Sequence, residues 1–151
     1  MKNKVQRFEK ILKTRIKGRE EQQLLLSSEK KEEDRLVDLL RDLETKKKEA
    51  LLSFGHQGKE PTTVQEMWFC RKAIERVEST ICDQGDVLCS VRSAIEETEA
   101  RLVEKHRDVQ IMEKYVSGLM DEWRNSVLKK EQIEMDDIAG IRHCALQRGQ
   151  G

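Results

Sequence analysis

The feature that most constrains this chain is an apolar residue recurring every seven positions: Met67, Ile74, Ile81, Leu88, Ile95, Leu102, Val109, Val116 and Trp123. Three residues further on in each repeat lie Cys70, Val77, Gln84, Val91, Thr98, Lys105, Met112, Leu119, Ser126 and Ile133, of which six are apolar. Together these positions form the a/d seam of a coiled coil. A strict seven-residue repeat drifts against the 3.6-residue turn, so the stripe keeps facing a neighbour only if two helices supercoil around each other. A second helix must therefore cover it.

The first third of the chain supplies that helix. Val5, Leu12, Leu26, Leu40 and Phe54 occupy one seam position, and Phe8, Leu36, Leu43 and Ala50 the other. Arg15, Arg19, Gln22, Glu29, Glu33 and Lys47 interrupt the stripe, which predicts looser packing over residues 15–33. Between the two patterns, Gly55-His-Gln-Gly-Lys-Glu-Pro61 combines glycines able to take positive φ with a helix-stopping proline. Thr63-Val-Gln-Glu66 then fits a capping box. Two helices joined so tightly run antiparallel.

The expected fold is all-α, a long antiparallel two-helix coiled-coil hairpin. It forms a single elongated domain over 1–151, with helix one at 3–54, a turn at 55–62, helix two at 63–140 and a flexible tail at 141–151. At about 1.5 Å per residue the helices span roughly 75 and 115 Å, which leaves some two dozen C-terminal residues without an intramolecular partner. Gly85 and Gly118 fall inside helix two, where each costs about 1 kcal/mol against alanine.

Composition agrees with a thin core: 38% of residues are charged and only 4% aromatic, too little bulky apolar material for a compact globule. The formal net charge is zero, so no global field steers the chain toward nucleic acid or anionic lipid. The apolar runs at 24–26 and 67–70 are far shorter than the roughly 20 residues of a membrane span, and the expectation is a cytoplasmic protein. Cys70, Cys82, Cys89 and Cys144 form no CxxC pair, and His56, His106 and His143 are scattered, so metal-ligand spacing is missing. A two-helix rod offers no concave site in which to desolvate a nucleophile. The reading is accordingly a non-enzyme, with no catalytic residues, no cofactor, no metal and no small-molecule substrate.

Two clusters stand out as contact candidates. Lys2, Lys4, Arg7, Lys10, Lys13, Arg15, Lys17 and Arg19 face only one acid, Glu9, within their segment. Such a face either meets an acidic partner or is balanced across the hairpin by Glu96, Glu97, Glu99 and Glu104. Trp68 and Phe69 fall at outward heptad positions, where exposed rings either dock a partner or wrap the turn end over Phe54.

The opening Val5-Gln-Arg-Phe8-Glu-Lys-Ile-Leu12-Lys-Thr-Arg15, the mid-chain turn, Glu113-Lys114 followed by Trp123-Arg124, and the ending Lys130-Glu-Gln-Ile-Glu-Met-Asp136-Asp137-Ile-Ala139 carry a further signal. With them the chain resembles the FliJ/YscO family, the coiled-coil stalk of flagellar and related type III protein export, the flagellar branch being the closer fit. The ending is similar to the family's E-L-D-E-[IL]-A terminus, with Met135 and Asp137 in place of Leu and Glu.

The resemblance implies a stalk, monomeric when free, whose terminal end enters the pore of a hexameric export ATPase. Its turn end then faces the cytoplasmic part of the export-gate membrane protein, and export chaperones are further partners. The protein would sit in the cytoplasm, peripherally at the inner membrane. ATPase contacts would fall on Lys4, Arg7, Lys10, Lys13, Arg15 and Lys17. Gate contacts would fall on Trp68, Phe69, Ala73 and Val77, because Asp38, Asp42, Thr45 and Glu49 leave helix one charged near the turn. Two other readings stand beside this one. The first is a structural scaffold that self-associates through the overhang from Tyr115 to Ala139; the second is an RNA-binding helical arm, which the neutral net charge disfavours.

Overall fold

The structure, a computed structural model, describes residues 2–57 and 63–149. Helix α1 runs Lys2–Gln57 and helix α2 runs Val64–Gly149. The two long helices pack against each other, giving the all-α hairpin that the seam demands. At the start of α2 the backbone N–H of Glu66 donates to Thr63 Oγ1 at 3.3 Å, and that of Met67 to the Thr63 carbonyl at 3.2 Å. Thr63 is thus the N-cap, satisfying donors that have no intrahelical partner in a first turn.

Two boundaries differ from the sequence expectation. Helix α1 continues through Gly55 to Gln57, with no positive φ at any described glycine; the remainder of the expected turn, 58–62, lies outside the described residues. The tail expected from 141 is instead helical as far as Gly149. A single glycine at 140 costs only about 1 kcal/mol, and the residues after it, Ile141-Arg-His-Cys-Ala-Leu-Gln-Arg148, include no proline to end the helix.

The chain divides into two packed units. One combines the residues up to Arg19 with those from Glu104 onward; the other is Glu20–Val103. In the first unit Val5, Val109, Val116 and Leu119 form the buried core. Phe8 meets Tyr115 edge to face, with ring centroids 4.9 Å apart. In the second unit Leu36, Ile74, Leu88 and Ile95 are buried, together with one polar residue, Thr98.

Of the nine positions of the repeat in α2, Ile74, Leu88, Ile95, Val109 and Val116 are buried, and burial is uneven along the rest. Met67, Ile81 and Leu102 are half-buried, and Trp123, the last seam position, is 38% exposed. The Phe8–Tyr115 contact explains this, because it sets the amino-terminal turns of α1 against a stretch of α2 that precedes Trp123. From Leu128 to Gly149 every residue is exposed.

Within Glu20–Val103 the partners of rising α1 numbers fall along α2, which is the antiparallel order. Lys30 Nζ lies 3.8 Å from Glu99, Arg92 Nε 3.9 Å from Glu33, and Lys47 Nζ 3.6 Å from Glu78. These pairs are largely solvated, so each contributes little to stability and mainly selects the pairing. Thr98 Oγ1 donates to Glu29 Oε1 at 2.7 Å, so a polar interruption on one helix is met by a buried hydroxyl on the other. At Gly85 and Gly118 a Cβ would meet nothing within 4 Å. Gly85→Ala and Gly118→Ala are each expected to raise the unfolding free energy by about 1 kcal/mol; denaturant titration checks this, and a loss of stability would mean that the glycines relieve a strain.

Candidate interaction surfaces

The basic surface belongs to the first unit. Lys4, Arg7, Lys10, Lys13, Arg15 and Lys17 are all exposed, and among the described residues Arg15 alone of the six makes an ion pair, with Asp108 at 3.8 Å. Arg7 lies over the Phe8 ring, 5.8 Å from its centroid. Arg19 is half-buried and its Nη1 lies 3.3 Å from His106 Nδ1, which lets the guanidinium donate to that nitrogen when the imidazole leaves it unprotonated. In the other unit Glu99 pairs with Lys30 and Glu97 with Arg101. Among the described residues, Lys4, Arg7, Lys10, Lys13 and Lys17 thus present exposed cations that form no ion pair, with Glu9 the one acid inside their segment.

The aromatic surface belongs to the second unit, near the start of α2. Trp68 is 53% exposed and Phe69 59%, and their rings pack edge to face at 5.2 Å. Lys72 Nζ stands 5.7 Å from the Trp68 centroid and 3.2 Å from Glu75. The two rings pair with each other, and among the described residues neither forms a ring pair with Phe54, so they leave an apolar platform more than half in water. Ala73 is exposed, whereas Val77 is half-buried on the seam; a partner resting on the rings reaches Ala73 more readily than Val77.

Among the described residues no group of His, Cys, Asp or Glu could hold a metal ion. Among the described residues no helix is long and apolar enough to cross a membrane. Cys82, Cys89 and Cys144 are exposed thiols. One carboxyl is perturbed: Arg35 donates two hydrogen bonds to Glu32, at 2.6 and 3.0 Å, and holds its pKa below the ordinary glutamate value. The pair lies within one helix on an exposed surface, so it supports α1 locally and is not a reactive site.

A family model described as the Flagellar FliJ protein matches residues 3–148, which is nearly the whole of both helices. The chain belongs to the FliJ family. Membership makes it a flagellar export-related coiled-coil protein, in agreement with the seam and the hairpin. No curated protein and no solved structure matches the chain.

Sequence reasoning missed three of the contacts described above. The buried Thr98–Glu29 hydrogen bond, the Arg19–His106 contact and the Phe8–Tyr115 ring pair all depend on the register between the helices. The only hint in the sequence was that polar residues on both stripes interrupt the seam in comparable regions.

Proposed function

We propose that this protein is the stalk of a flagellar protein export machine, acting on a hexameric export ATPase through its basic amino-terminal turns and on the export gate through Trp68 and Phe69. The observation that carries this reading is the set of five exposed cations without ion pairs, Lys4, Arg7, Lys10, Lys13 and Lys17, on a protein of that export family. Unpaired cations on one helical segment are matched by an acidic surface and raise the rate of encounter with it. The exposed ring pair supplies what a small docking contact needs, large rigid apolar area at low entropic cost. Chaperones of export substrates are further partners in this reading, at surfaces that no single feature selects. The stalk itself carries out no chemistry; nucleotide hydrolysis belongs to the ring.

The test is direct. Added to its cognate export ATPase, the protein is expected to raise hydrolysis and ring assembly several-fold. A variant with Lys4, Arg7, Lys10 and Lys13 all changed to Glu should keep its helical circular dichroism and lose the stimulation. Full stimulation by that variant would remove the basic surface from the interface. No stimulation by the native protein would remove the ATPase from its partners.

A further inference from the structure

The carboxyl-terminal part of α2 carries a second apolar face unrelated to the seam. With about 100° between successive residues, Val127, Leu128, Met135, Ile138, Ala145 and Leu146 fall within roughly one quadrant of the helix. Leu128, Met135, Ile138 and Leu146 are between 53% and 70% exposed. Lys129, Lys130, Asp136, Asp137, Gln147 and Arg148 lie outside that arc, as do two exposed apolar residues, Ile133 and Ile141, so the polar side of the segment is mixed while the arc carries most of its apolar residues.

Two charges stand inside the arc, Glu131 and Arg142. They are eleven residues apart, about 16 Å along the axis, and cannot reach each other within one helix. Neither makes an ion pair among the described residues. An apolar face with an acid near one end and a base near the other is complementary to itself when reversed.

We infer that this face is the interface of an antiparallel homodimer, in which the carboxyl-terminal segments of two copies pair about a two-fold axis near residues 136 and 137. In that register Glu131 meets Arg142 of the second copy, and the contact is repeated by symmetry. Met135 lies opposite Ile138 of the second copy, Leu128 opposite Ala145 and Val127 opposite Leu146, so the larger side chains meet smaller or flexible ones. A parallel pair would stack Glu131 on Glu131 and Arg142 on Arg142, which like-charge repulsion disfavours. From Leu128 to Gly149 every residue is exposed and Val127 alone on this face is half-buried, so the chain's own α1 leaves the face uncovered from Leu128 onward.

The dimer departs from the free monomer that the stalk resemblance implies. It gives the isolated protein a way to shield its exposed apolar segment, and it does not depend on the ATPase reading.

Sedimentation velocity of the full chain, from micromolar to submillimolar concentration, tests the inference. The native protein is expected to shift from monomer to dimer with rising concentration. Glu131→Arg and Arg142→Glu should each weaken association roughly a hundredfold, and the combined Glu131→Arg/Arg142→Glu protein should recover dimerisation. Circular dichroism of each variant separates loss of pairing from loss of helix. A native protein that stays monomeric throughout overturns the inference, as does a dimer indifferent to both single reversals or one that the double reversal fails to restore. ATPase stimulation, measured separately, reports on the stalk reading alone.

Discussion

Truncating Leu36 to alanine is expected to lower the unfolding free energy by roughly 3 kcal/mol, the scale of a fully buried leucine whose site cannot collapse. Leu36 is 0% exposed and lies in a stretch of α1 where Glu29 and Glu33 interrupt the seam, so few neighbouring side chains can close the space left behind. The matching control is Leu24→Ala. Leu24 is 72% exposed, so its truncation should move stability by less than about 0.5 kcal/mol. Urea titration followed by circular dichroism distinguishes the two. Equal effects at both positions would mean that the helices are not zipped through Leu36.

The second large effect concerns binding. Replacing Trp68 and Phe69 together by alanine should weaken association with the cytoplasmic part of the export gate by more than about thirtyfold, the scale on which buried aromatic anchors contribute. Helicity and unfolding midpoint should hardly change, because the rings pack on each other and beside Lys72 and not into the core. Calorimetric titration of the native and doubly substituted proteins gives the answer. Unchanged affinity would assign the platform to some other partner, and a fall in stability would show that the rings brace the start of α2.

Both expectations rest on features of different legibility. Leu36 was identified by a spacing rule alone, since seven-residue periodicity is a property of consecutive residues and needs no knowledge of the partner. Thr63 as N-cap was equally local: a hydroxyl three residues before Glu66 satisfies the same N–H in any context. The solvation of Lys4, Arg7, Lys10, Lys13 and Lys17 was not local. Two patterns of acid placement were compatible with the chain, and only one leaves those cations unpaired.

The sequence by itself determined that there are two helices, that each carries an apolar stripe, and that they run antiparallel, because these follow from backbone geometry repeated along one stretch of chain and from the short connection between the patterns. The tertiary structure alone decided the register: that Glu29 meets Thr98, that Arg15 meets Asp108, and that Phe8 meets Tyr115. The physical reason is that sliding one helix by a heptad keeps an apolar seam largely intact while exchanging every polar partner. The choice among registers is therefore made by the summed packing and ion pairing across both helices, a quantity that no single stretch of residues contains.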